Sequence, residues 1–129
     1  MSLSQNDAQK MIQNYIKDSA KAAESCIDFE EKLIEASKIL AQSFLNGGKV
    51  LLAGNGGSAA DAKHIAGEFL SLLRTTLPRK ALPAIAVPTD VPMLTASAND
   101  FDFVLTKARC VDAFAQKGDV FWAMSTSGT

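Results

Sequence analysis

The chain has 129 residues, with 13 Lys and Arg against 14 Asp and Glu, a formal net charge of −1. At 47% hydrophobic and 21% charged residues it has the composition of one soluble globular domain, and the near-neutral balance excludes broad attraction to nucleic acid or an anionic membrane. No apolar run reaches the roughly 20 residues needed to span a bilayer. The start, MSLSQNDAQK, lacks the basic and apolar regions of a signal peptide, so a cytoplasmic location is expected. Cys26 and Cys110 show no CxxC spacing and are expected as free thiols, buried or half-buried like small apolar residues.

From Ala8 to Ala23 there is no Gly or Pro, and Met11, Ile12, Tyr15 and Ile16 share one helical face. A second helix is predicted from Asp28 to Leu45, with Phe29, Leu33, Ile34, Leu40 and Phe44 at three-to-four spacing, ended by Asn46-Gly47-Gly48. These apolar stripes are expected to pack on the domain or against a second subunit. Residues 1–47 thus read as N-terminal helices and 48–129 as the first part of an α/β core.

Within that core, KVLLAG (Lys49–Gly54) is a continuous apolar run, as in a buried parallel strand. A helix over Ser58–Leu73 follows, with Leu70, Leu72 and Leu73 available for packing. Leu82–Val87 reads as a second buried strand, Val91–Ser97 as a short helix or turn, Val104–Gln116 as a helix and Val120–Met124 as a third strand. The alternation predicts an open parallel α/β sheet with helices on both faces. Three strands make a thin sheet with exposed edges, so a fragment or a need for partner chains is expected.

Four features can carry chemistry. Asn55-Gly56-Gly57-Ser58 sits where a strand's carboxyl end meets a helix, so its N–H groups can cradle an anion, and Ser58 can donate to a ligand or cap the helix. The same residues also suit a plain tight turn, and the pattern is neither GxGxxG nor a P-loop. Asp61, His64 and Glu68 share a helix face. There His64 and Glu68 can reach one metal ion or share a proton-transfer site, with Asp61 orienting the imidazole, or all three form a solvated stripe. Ser125-Thr126-Ser127-Gly128 follows the third strand and offers hydroxyls and N–H groups to a phosphate, or simply turns the chain. Asn99-Asp100 can accept sugar hydroxyls or cap the next helix.

Together, GNGGSAADAKHIAGEF, the PAIAV strand, the AND segment and GDVFWAMSTSG resemble the sugar isomerase (SIS) domain family, nearest its phosphoheptose isomerase branch. The resemblance covers nearly the whole chain. It implies a three-layer α/β/α fold with a parallel sheet, flavodoxin-like or Rossmann-like, preceded by N-terminal helices that help build a homotetramer. The implied reaction interconverts sedoheptulose 7-phosphate and D-glycero-D-manno-heptose 7-phosphate through an enediol, for lipopolysaccharide heptose. By matching motif, Asn55, Gly56, Gly57, Asn99 and Asp100 contact the sugar, and Ser125, Thr126 and Ser127 hold the phosphate. His64 and Glu68 bind zinc, with Glu68 also an acid/base.

The family's pattern continues past STSG to a late helix with a Gln and a His that complete the zinc site and supply the second acid/base. His64 is the only histidine here, so the chain alone is expected to be inactive or nearly so. Two rivals share the Gly-rich corner. One is a non-catalytic adaptor resembling the protein that associates with the replication initiator DnaA; the other is a sugar-phosphate-binding regulatory module. Glu68 favours the enzyme over the adaptor.

Overall fold

Gln5–Ser25, twenty-one residues without Gly or Pro, form helix α1. Ser4 caps it by accepting a hydrogen bond from the Asp7 N–H at 3.2 Å, and Asp7 complements the positive end of the helix dipole. One 3-10 turn, Cys26–Phe29, leads to α2 (Glu30–Leu45). The computed structural model describes residues 4–88 and 90–128.

The chain divides into two units, Met1–Lys38 and Ile39–Thr129. In the first, no residue of α1 is buried, and Met11, Ile12, Tyr15 and Ile16 are each more than 60% exposed. The predicted apolar face therefore exists and is uncovered within this unit. Cys26 is exposed, contrary to expectation, because it lies on a turn that buries none of its residues.

The second unit begins with the last residues of α2, where Leu40 and Phe44 pack on the core. The helix ends in a Schellman arrangement, with the Gly48 N–H on the Ser43 carbonyl at 2.8 Å and the Gly47 N–H on that of Phe44 at 3.1 Å. Strand β1 (Val50–Ala53) follows, wholly buried, and with β2 (Ala84–Ala86) and β3 (Val120–Ala123) it forms a parallel sheet in the order β2-β1-β3. Val50 is in register with Ala84 on one side and Val120 on the other. Each strand is a residue or more shorter than the apolar run that predicted it.

Alternation along β1 builds the two faces. Val50 and Leu52 pack with Ala62 and Ala66 of α3 (Gly57–Leu70) and with Ala84 and Ala86. Leu51 and Ala53 face the other way, toward Val87, Met93 of α4 (Val91–Asp100) and Cys110 of α5 (Leu105–Phe114). A continuous apolar strand is required because both faces are covered. Burying Val50, Leu51 and Leu52 completely contributes about 1.5–3 kcal/mol each. Burial pushes the Cys110 thiol above its ordinary pKa, with Asp90 adding to the rise and Lys107 opposing it, so it stays protonated and apolar.

Helix α3 stops at Leu70, three residues before the predicted Leu73. Arg79 donates to the carbonyls of Glu68 at 2.6 Å and Phe69 at 2.8 Å, closing the last turn. Leu70 and Leu73 are consequently more than half exposed rather than packed. At the amino ends of β1 and β3 a polar clamp fixes the register. Asp119 accepts from the Lys49 N–H at 2.9 Å and the Gln116 N–H at 2.7 Å and pairs with the Lys49 ammonium at 2.5 Å, while Ser43 Oγ donates to the Gly118 carbonyl at 2.7 Å. The carboxyl ends of the same two strands are left to form the site.

Candidate functional site

The strand order puts β1 between β2 and β3, so the chain leaves β1 on one side and returns on the other. In such sheets the crevice for a ligand lies at the carboxyl ends of the strands flanking that switch. A cleft of about 1020 Å³ occurs there, floored by Ala53, Gly54, Phe121 and Ala123 and rimmed by Asn55, Ser58, Ser125, Thr126 and Ser127. Ligand pockets commonly run to roughly 300–1,000 Å³, so a sugar phosphate fits with room to spare.

Local geometry explains how two loops meet. Ser58 begins α3 one residue after its start, and its hydroxyl lies 3.3 Å from that of Thr126, joining the loops after β1 and β3. Ser125 Oγ is 3.3 Å from Ser127 Oγ and accepts the Gly128 N–H at 3.1 Å. The close approach depends on Gly54, where a Cβ would stand 2.5 Å from the Ser58 carbonyl atoms. Gly56 has φ +54°, a conformation that disfavours side chains, and its carbonyl accepts the Ala59 N–H at 3.1 Å to open the helix.

Five expected residues, Asn55, Ser58, Ser125, Thr126 and Ser127, are thus gathered in one cleft, with Gly56 and Gly57 in the turn between the first two. The others stand apart. His64 and Glu68 lie further along α3, with Nε2 and Oε1 3.8 Å apart; the imidazole is exposed and the carboxylate about one-third exposed. Asp61 is exposed and forms no bond with the imidazole, so its expected orienting role is not realised. Asn99 and Asp100 end α4, the Asn99 amide donating to Asp100 at 3.0 Å, and do not line the cleft. Nor do they cap the next helix, which starts without a side-chain cap; Asp102 accepts from the Val104 N–H at 3.1 Å just ahead of it.

Two metal-bound atoms in a tetrahedral zinc site lie about 3.3–3.5 Å apart, given bonds of about 2.0–2.2 Å, so the His64–Glu68 pair is suitably close and chemically apt. No group of three His, Cys, Asp or Glu side chains able to hold a metal occurs among the described residues. The pair fits half a zinc shell and not a whole one.

Lys107 of α5 was not foreseen from the sequence. Its ammonium reaches into the cleft and donates to Asn55 Oδ1 at 2.5 Å. No described helix is long and apolar enough to cross a membrane.

The model of the SIS domain family matches residues 14–129. Phosphoheptose isomerase of Crocosphaera subtropica is 56% identical over 90 residues, covering 70% of this chain and 45% of that protein. The Chlorobaculum parvum enzyme of the same name is 46% identical over 111 residues, covering 85% and 53%. Among solved structures, phosphoheptose isomerase from Neisseria gonorrhoeae superposes with a TM-score of 0.83 at 33% identity, covering 92% of this chain and 61% of that one. The Francisella tularensis phosphoheptose isomerase gives 0.85 at 30%, covering 92% and 62%. The chain spans about half the length of the curated relatives it matches. With the parallel sheet, the covered faces and the family match in agreement, the chain belongs to the SIS domain family.

Proposed function

We propose that this protein binds a seven-carbon sugar phosphate and serves aldose–ketose isomerisation, interconverting sedoheptulose 7-phosphate and D-glycero-D-manno-heptose 7-phosphate. The observation that carries the reading is the Ser58–Thr126 contact, which joins the Gly-rich loop after β1 to the hydroxyl-rich loop after β3 at one cleft at the strand ends. Hydroxyls and N–H groups of Ser125, Thr126 and Ser127 hold the phosphate, while Asn55, Gly56, Gly57 and Ser58 bind the sugar chain. Asn99 and Asp100 contact sugar hydroxyls from the end of α4.

Isomerisation through an enediol moves a proton between adjacent carbons and needs charge stabilisation at their oxygens. Glu68 is the proton carrier in these residues. His64 and Glu68 supply two ligands of a zinc ion, which when bound polarises the substrate carbonyl. The second proton carrier and the remaining ligands are not among the described residues, so this chain is expected to bind substrate without turnover. The proposal extends to a cytoplasmic homotetramer in which the uncovered apolar face of α1 meets other subunits.

A sugar-phosphate-binding module is a second reading, favoured by the separation of His64 and Glu68 from the cleft lining. Thermal-shift measurements with sedoheptulose 7-phosphate and with zinc separate the two. The enzyme reading expects stabilisation by each, the zinc effect disappearing in Glu68→Gln. Stabilisation by the sugar phosphate alone selects the module. No response to the sugar phosphate, with binding of the replication initiator instead, selects the adaptor and ends both.

A further inference from the structure

We propose that Lys107 is the cation that makes the cleft select phosphorylated ligands, bonding phosphate oxygens together with the hydroxyls of Ser125, Thr126 and Ser127. This deepens the sugar-phosphate reading and rests on it.

Among the described residues lining the cleft, Lys107 carries the positive charge, against a single carboxylate, Asp112. The two loops contribute neutral donors. A phosphate ester carries up to two negative charges, and bonds in which both partners are charged are roughly twice as strong as neutral ones. Neutral donors alone would therefore distinguish a phosphate ester from a free sugar less sharply than donors joined by an ammonium.

The bland explanations for this lysine fail. It lies in the first turn of α5, where a cation opposes the helix dipole, so helix stability does not account for it. No carboxylate pairs with it among the described residues; its contacts are Asn55 Oδ1 and the face of Phe103, 5.2 Å from the ring centroid. Its side chain is held half-buried without a direct ion-pair partner among the described residues, beside a cleft large enough for an anionic ligand.

The Asn55 contact adds a second effect. An ammonium only donates, so it meets the amide through the carbonyl oxygen and leaves both amide N–H groups of Asn55 for other acceptors. One of the ammonium's three N–H groups is used in this bond, and the others remain for a ligand. A single lysine on α5 thereby sets two donor groups at a site whose other donors come from the loops after β1 and β3.

Calorimetric titration of the chain with sedoheptulose 7-phosphate and, separately, with unphosphorylated sedoheptulose tests the assignment. Lys107→Met, which keeps an apolar stem on Phe103, is expected to weaken the phosphate ester roughly 10- to 100-fold and the neutral sugar, which loses only the orientation of Asn55, by a factor at least about threefold smaller. Lys107→Arg is expected to keep most of the preference, which guards against a general effect of substitution. Wild-type affinity for the ester in Lys107→Met overturns the assignment and leaves the sugar-phosphate reading standing. So does equal weakening of both ligands, which marks a structural role. A wild-type chain that binds the ester no better than the free sugar overturns the reading and this assignment with it.

Discussion

Asp119 accepts three hydrogen bonds or ion-pair contacts with its side chain only 6% exposed, and the bond from Lys49 is the chief cause holding its carboxyl below the ordinary carboxylate range. Backbone N–H groups of Lys49 and Gln116 act in the same direction, and burial acts against them. A carboxyl whose pKa is lower folded than unfolded stabilises the fold above its unfolded value of about 3.9, and this contribution is lost as pH falls through the folded value. Asp119→Asn is therefore expected to cost roughly 1.5–3 kcal/mol at neutral pH and to lessen the loss of stability below about pH 4, as read by urea unfolding across pH. The same scale shows what the sequence could reveal. Asn55 and Ser58 were legible because motif and site coincide within four consecutive residues. Lys107 was not, because the partner that places it, Asn55, is 52 residues away. The one local sign was a cation in a helix's first turn with no acidic partner one turn on.

Helices and strands were predicted in the right order and kind, since period and glycine placement are local properties. Their ends were less legible, because distant partners decide them. Arg79 closes α3 early, and strand lengths depend on how many residues find a pairing neighbour. Gly54 sits where element geometry and the site meet. Its missing side chain lets the first turn of α3 approach the end of β1, and a methyl group would meet backbone rather than a movable side chain. Gly54→Ala is expected to displace Ser58 from Thr126, destabilising the chain by about 1–3 kcal/mol and weakening sugar-phosphate binding, measured by thermal unfolding and calorimetry. Unchanged values in both would show that α3 yields without cost.

At the scale of the whole molecule, the parallel α/β class followed from the alternation of elements, whereas the order β2-β1-β3 did not. Nothing local says that β3 returns to the far side of β1; the register with Val50 is fixed by groups such as Lys49 and Asp119, 70 residues apart in the chain. This order also has a temporal meaning. Strand β2 can join β1 with α3 covering both, while the loop after β3 must come back across 68 residues to bring Thr126 to Ser58. Longer loops close more slowly, so pulse-labelled hydrogen exchange during refolding is expected to protect the Val87 N–H, bonded to Leu52, before the Met124 N–H, bonded to Ala53. Simultaneous protection would mean that the sheet forms in one step. If the order holds, an early species already has its hydrophobic centre but no cleft, and affinity for an anion is acquired only when the last strand docks.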